Sequence, residues 1–277
     1  MYLRPTDLTE ALAALKAAPL EVLAGGTDFY PARVGRPIGG DILDITALSA
    51  LRGVREQAAG WRIGALTTWS DLVAAPLPPV FDGLRSAARD VGGVQIQNAG
   101  TVAGNICNAS PAADGVPALL ALGAEVELAA LDAVRRLPLR EFIAGSRRTL
   151  RRPDELVTAV LIPAWGSDAR SVFLKLGARR YLVISIVMVA ACVEAGPDGA
   201  VARATVAVGA CSEVAQRLTK LEAKLLGRPL APALAGLARP DDLAPLAPIS
   251  DVRGSAEYRR DAALTLVRRA LAELGRE

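Results

Sequence analysis

The chain has 277 residues, a formal net charge of +3, 52% hydrophobic but 4% aromatic residues, three cysteines and no histidine. That length suffices for two domains with cores of their own, and a charge so small and scattered excludes a nucleic-acid partner. The absence of histidine excludes Ser-His-Asp and Cys-His catalysis, His-ligated zinc or haem, and the commonest general base.

Cys107, Cys192 and Cys211 stand far apart with no C-x-x-C pair, so no metal or iron–sulfur site is expected within the chain. Free thiols suit a reducing compartment. No apolar run reaches the roughly 18 to 20 residues of a membrane span, and the first residues show no basic region followed by an apolar core. The expectation is a soluble, cytoplasmic protein.

In chain order, "TDLTEALAAL" from Thr6 opens with a capping residue and an early Glu, then repeats apolar residues at helical spacing. "EVLAGG" reads as a strand running into a glycine turn, and "DILDI" from Asp41 as a second strand. Strand, crossover and strand predict a small parallel α/β unit. "WRIGAL" reads as a strand, and "TTWSDLVAAP" and "PPVFDGLRSAARDVGG" as helices closed by Pro or Gly. The polar stretch "NAGTVAGNICNASPAADG" at 98–115 is expected to be a loop. After it come a short helix in "DGVPALLALG", a strand in "AEVELAAL", a helical turn in "LREFI" and a strand in "DELVTAVLIP".

A boundary falls near Ser167. Beyond it "ISIVMVAACVEA", the turn "GPDG" and "AVARATVAVGAC" predict a long hairpin. A helix is expected over "EVAQRLTKLEAKLLG", then a Pro/Ala-rich connection, then an amphipathic closing helix in "SAEYRRDAALTLVRRALAEL". The arginine pairs Arg135/Arg136, Arg147/Arg148 and Arg151/Arg152 lie near acids or turns and read as a solvated surface.

Two glycine loops carry the functional signal. "LAGGTDFYP" puts a Gly pair directly after a strand, where the backbone turns sharply and its N–H groups are open to close approach by a ligand. It is neither G-x-G-x-x-G nor a P-loop, and a plain strand-to-helix turn would use the same residues. The second loop offers Thr101, Gly104 and Asn105, with Asn108, Ser110 and Asp114 adding amide, hydroxyl and carboxylate groups. That set suits a ligand with a diphosphate, hydroxyls and a heteroaromatic edge; a buried polar turn network is the alternative. Neither "LAGGTD" nor "GTVAGN" contains Lys or Arg, so main-chain N–H groups and hydroxyls are expected to hold any phosphates.

"LAGGTDFYP", "NAGTVAGNICNASPAADGVPALLALGAEVEL", "DELVTAVLIP", "FLKLGARR" and "SDVRGSAEYRRDAALTLVRRAL" together resemble the medium, FAD-binding subunits of the molybdenum hydroxylases, which include xanthine dehydrogenase, aldehyde oxidases and carbon monoxide dehydrogenase. The motifs follow the family's order over essentially the whole chain. The resemblance implies an α+β fold: a two-subdomain FAD-binding domain of the PCMH type over 1–165 (subdomains about 1–58 and 59–165), then a C-terminal domain over 168–277 of antiparallel sheet plus helices. It implies FAD as cofactor, with the diphosphate held by Val22, Leu23, Ala24, Gly25, Gly26, Thr27 and Asp28, and with Thr101, Gly104 and Asn105 near the diphosphate and ribityl chain. Asp114 is a further polar contact, Leu156 lies near the flavin ring and Lys175, one of four lysines, at the cofactor's edge. No residue of this chain is assigned as catalytic or metal-binding.

The molybdenum–pterin centre and the iron–sulfur clusters are expected on a large and a small partner subunit, in a heterotrimer or its dimer. Electrons would pass from those clusters through FAD to NAD or another acceptor, in a xanthine dehydrogenase-like complex or one acting on an aldehyde, N-heterocycle or carbon monoxide. The region preceding the second loop, "DVGGVQIQNAG", lacks the aromatic that some relatives place by the ring. Tyr181 reads as the start of the next strand, with approach to the flavin as the other reading. Three other classes stand beside this one: a self-sufficient FAD oxidoreductase, a scaffold that has lost its flavin, and an ATP-binding module. The C-terminal hundred residues offer few polar groups for a substrate pocket. Both glycine loops are intact, and no Lys-bearing phosphate loop is present.

Overall fold

In the computed structural model, which describes residues 1–37 and 39–276, the chain begins with a small parallel sheet. Its strands β1 (Tyr2–Leu3), β2 (Glu21–Leu23) and β3 (Ile42–Asp44) lie in the order β1-β3-β2. Helix α1 (Leu8–Ala17) joins the first two and is capped by Asp7, not Thr6; the Asp7 carboxylate accepts from the N–H groups of Thr9 and Glu10. The expected parallel unit is present, but among the described residues its crossover carries only a 3-10 turn at Pro31–Arg33. Because β2 is an edge strand, the amides of the glycine loop beyond it have no neighbouring strand to bond.

A five-stranded antiparallel sheet follows, built from β4 (Val54–Gln57), β5 (Gly60–Gly64) and, beyond a run of helices, β6 (Glu125–Ala130), β7 (Ala133–Pro138) and β10 (Leu156–Pro163). The intervening helices are α2 (Trp69–Ala74), α3 (Asp82–Asp90), α4 (Val94–Ala99), α5 (Val102–Asn108) and α6 (Gly115–Ala121). Before β10 come a turn of helix α7 (Leu139–Phe142) and the short hairpin β8 (Ile143–Gly145) and β9 (Arg148–Thr149). In the strand order β4-β5-β10-β6-β7, β10 is central, and its "LVTAV" is buried residue after residue, as a strand covered on both faces must be.

The stretch at 98–115 departs from expectation. It is not a loop: it takes in the end of α4 and the whole of α5. Thr101 caps α5, its hydroxyl oxygen accepting from the Gly104 N–H at 2.9 Å, and Val102, Ala103 and Ile106 are buried on one side. Gly and Asn are weak helix formers, and here tertiary burial outweighs that propensity.

The last part is a four-stranded antiparallel sheet of β11 (Arg170–Leu176), β12 (Val187–Ala195), β13 (Val201–Gly209) and β14 (Gln216–Arg217), with helices α8 (Thr219–Leu225) and α9 (Ala256–Leu274). Both faces of β12 are covered. Met188, Ala190 and Cys192 pack into the core of the preceding five-stranded layer, while Val187, Val189, Ala191 and Val193 pack with α8 and α9. The period-2 geometry of a strand thus turns an unbroken apolar run into two cores. The expected hairpin is present. The helix expected over 213–227 is shorter, because Gln216 and Arg217 pair with β13 and α8 begins only at Thr219. Tyr181 does not open a strand; it sits 60% exposed in the connection, and β12 begins at Val187. No described helix is long and apolar enough to cross a membrane.

Candidate functional site

A cavity of about 880 Å³ lies between the small parallel sheet and the helices of the five-stranded layer. That is toward the upper end of the size range for small-molecule sites. The two glycine stretches, 75 residues apart in the chain, form facing walls. Val22, Ala24, Gly25, Gly26, Thr27 and Asp28 line one side; Thr101, Gly104 and Asn105 line the other, with Leu156 and Val157 of β10 between them. The approach is close enough that a Cβ on Gly25 would overlap the Ala99 carbonyl oxygen. Gly26 has φ +71°, and a Cβ there would stand 2.7 Å from the Tyr30 ring. Each glycine therefore has its own reason.

Three expected site residues are not on this wall. Leu23 turns into the core at 5% exposure, because successive side chains of β2 alternate. Asp114 and Lys175 are paired with each other instead: Lys175 Nζ donates to Asp114 Oδ2 at 2.7 Å, and the Ser185 hydroxyl donates to Asp114 Oδ1 at 2.6 Å. Burial pushes the Asp114 carboxyl up from its ordinary value despite those two donors. Lys175 Nζ also lies 3.4 Å from the Asp90 carbonyl, one residue before the wall residue Val91. The pair thus sits directly behind the cavity rather than in it.

The electrostatics of the wall come from its backbone first. The N–H groups of Ala24 through Phe29 donate no hydrogen bond among the described residues, and all six residues line the cavity. Such a run of open amides is a concave donor surface for an anion. Arg33 steadies it from behind, donating to the Phe29 carbonyl at 2.6 Å, pairing with Glu21 and lying over the Phe29 ring 3.9 Å from its centroid. Asn105 lines the facing wall, but its Oδ1 is turned inward toward Gly115, buried and without a hydrogen-bond partner.

Two arginines that read as solvated surface are brought to this site. Arg147, in the turn between β8 and β9, donates to Asn108 Oδ1 and lies 4.0 Å from Asp28, so it bridges the two walls. Its own φ is +57°, and its N–H donates at 2.8 Å to the carbonyl of Ala109, whose φ is +47°. Arg151 lines the cavity itself. Their positions follow from the β8–β9 hairpin folding back over the end of α5, a long-range contact that local charge pattern does not signal. Cys107 also faces the cavity. Its side chain is exposed, and desolvation pushes its thiol up to about 11, with Arg151 pulling the other way.

Comparison with known proteins matches residues 1–165 to the FAD binding domain in molybdopterin dehydrogenase and residues 173–274 to the CO dehydrogenase flavoprotein C-terminal domain. Among similar proteins, the nicotinate dehydrogenase FAD-subunit of Eubacterium barkeri is 32% identical, over 83% of this chain and 80% of its own. The glyceraldehyde dehydrogenase medium chain of Sulfolobus acidocaldarius is 30% identical over 99% of this chain and 97% of its own. The structure of reconstituted CO dehydrogenase from Oligotropha carboxidovorans superposes with a TM-score of 0.89 at 28% identity, covering 99% of this chain and 96% of the other.

Proposed function

The chain belongs to the FAD-binding medium subunits of the molybdenum hydroxylases, and from that premise we propose that it holds FAD in the cavity between its two glycine stretches and carries electrons from partner iron–sulfur clusters to an acceptor. One observation carries this reading: six consecutive residues, 24 to 29, whose amides donate no hydrogen bond among the described residues, line an 880 Å³ cavity whose facing side carries the hydrogen-bonding Thr101 and Asn105 and the apolar Leu156 and Val157. The residues fit the cofactor. The amides of Ala24 through Asp28 would hold the diphosphate, Thr101, Gly104 and Asn105 would meet it and the ribityl hydroxyls, and Leu156 would lie against a ring. The bound flavin supplies two-electron redox chemistry, and the protein contributes binding, orientation and tuning.

Within this reading Asp114 and Lys175 act one layer behind the cofactor, through Asp90 and Val91. We infer a division near residues 165–168 between the FAD-binding part and a C-terminal domain whose strand β12 is covered on both faces, so that this strand offers no face to a substrate. Oxidation of substrate is therefore placed on a large molybdenum–pterin partner, with a small iron–sulfur subunit between, in a cytoplasmic complex. Relatives aligned over 80% or more of their length carry names for nicotinate and glyceraldehyde oxidation, so xanthine, expected from the resemblance, is one member of a set selected by that partner. NAD is proposed as the acceptor on the resemblance alone.

The test is flavin titration of the full chain stripped of cofactor. One equivalent of FAD should bind with submicromolar affinity and quench flavin fluorescence, and the isolated chain should oxidise no purine, aldehyde or N-heterocycle. Failure to bind FAD at micromolar concentrations, or turnover of such a substrate without partners, would overturn the reading.

A further inference from the structure

Of the charged groups around the cavity, one has no counterpart. Arg33 is matched by Glu21, and the wall carboxylate Asp28 faces Arg147. Arg151 lines the same cavity near Cys107, half-buried, and among the described residues no carboxylate comes within 4.0 Å of it. What it has are three carbonyl oxygens on one nitrogen: Nη1 donates to Arg152 O at 3.0 Å, Pro153 O at 3.4 Å and Glu155 O at 2.6 Å. Those bonds fix the guanidinium in place without neutralising it. Of the two carboxylates that follow it in sequence, Asp154 comes no closer than 4.0 Å and Glu155 is engaged elsewhere, accepting from Arg135 Nε at 2.6 Å and from the Arg152 N–H at 2.8 Å.

A guanidinium that is half withdrawn from water, held rigidly and left without an anion is unfavourable unless something else supplies the negative charge. Its planar fork is suited to two phosphate oxygens at once. Resting on the reading that this cavity takes FAD, we propose that Arg151 is the side-chain cation for the cofactor's diphosphate, meeting its oxygens from the side opposite the open amides of residues 24 to 29. The diphosphate is the group that carries formal negative charge in oxidised FAD, which is why it, rather than either ring system, is the counterpart assigned. This replaces the expectation that main-chain groups and hydroxyls alone hold the phosphates. Phosphate recognition here is divided between a backbone wall, legible in the glycines, and one arginine from the segment that follows the distant β8–β9 hairpin.

The experiment titrates the stripped full chain and its Arg151→Gln and Arg151→Lys variants with FAD, ADP, adenosine and riboflavin, at low and high ionic strength. Far-ultraviolet circular dichroism and thermal melting confirm that each is folded. Loss of charge-assisted hydrogen bonds predicts FAD and ADP binding about 10- to 100-fold weaker in Arg151→Gln. Adenosine and riboflavin should bind as in the parent, and Arg151→Lys should recover most of the loss. The parent's FAD affinity should fall more steeply with salt than that of Arg151→Gln. Equal FAD and ADP affinity in parent and Arg151→Gln would overturn this inference and leave the FAD reading standing. A loss seen equally with riboflavin or adenosine would overturn it by moving Arg151 to a ring. Should Arg151→Gln not fold, Arg151→Met decides by the same criteria: weaker FAD and ADP binding with adenosine and riboflavin unchanged supports the inference, and unchanged FAD and ADP binding, or a loss as large for riboflavin, overturns it. A parent that binds neither FAD nor ADP would remove the FAD reading and this inference together.

Discussion

Cys107 is a reporter placed by the fold. Of the three cysteines, Cys192 and Cys211 are buried in the protein, while Cys107 opens onto the cavity beside Arg151. A maleimide should therefore label one thiol in the stripped chain, and saturating FAD should slow that labelling at least about tenfold; equal rates with and without FAD would show that the cofactor lies elsewhere. Because the thiolate is the reactive form and desolvation moves this thiol to about 11, the rate should keep climbing with pH past 9 instead of levelling off there. Arg151 favours the thiolate, so Arg151→Gln should lower the rate at any fixed pH in that range. Gly25 makes the complementary point with no strained φ. Gly25→Ala puts a methyl where Ala99 O now lies and must part the two walls, costing about 1–3 kcal/mol of stability by overpacking, with loss of FAD. A Gly25→Ala chain that melts with the parent and remains yellow would show that the walls have slack.

At the scale of elements, the β8–β9 hairpin is the clasp of the site. Two non-glycine residues with positive φ, Ala109 and Arg147, are hydrogen-bonded to each other where α5 meets the hairpin. Backbone of this kind costs of order 1–3 kcal/mol per residue and persists where surrounding contacts over-determine it. Here it aims Arg147 across Asp28 and Asn108, one from each wall. Both the guanidinium and Asp28 are more than half exposed, so the link is weak at equilibrium and screened by salt. The expected effect of Arg147→Ala is kinetic: FAD should dissociate about three- to tenfold faster, measured by displacement, with a melting temperature within a few degrees of the parent. An unchanged dissociation rate would remove the clasp. Nothing in "GSRRTL" announces this role. The glycine stretches were legible because conformational freedom has to be written locally, in Gly and a capping Thr. Arg147 and Arg151 were not, because what distinguishes them from surface arginines is a contact made some forty residues away. The helical character of 102–108 was hidden for a related reason. Its apolar spacing, Val102, Ala103 and Ile106 behind the cap Thr101, is present in the sequence, but the surrounding Gly and Asn pointed to a turn.

At the scale of the whole chain, the alternating burial of β12 welds the C-terminal sheet onto α3 and α6, and the hairpin's apolar run made the sheet legible while leaving what covers its second face unstated. At one point this junction is ionic. Asp114 stands at the start of α6, and Lys175 and Ser185 belong to β11 and the connection before β12, so the cluster ties the FAD-binding part to the C-terminal sheet. Lys175 and Asp114 have side chains only 8% and 11% exposed. Removing one partner leaves the other charge stranded, whereas removing both need not cost much. Asp114→Asn should therefore lose about 3–5 kcal/mol in urea denaturation. The double variant Asp114→Asn/Lys175→Met, with no charge left inside, should return to within about 1–2 kcal/mol of the parent. That pattern separates structure from cofactor contact, since FAD affinity in the stable double variant then reports only what the pair does for the flavin through Asp90 and Val91. If Asp114→Asn alone is as stable as the parent, the Lys175 ammonium reaches water, and the junction is held by the apolar faces of β12 without ionic help.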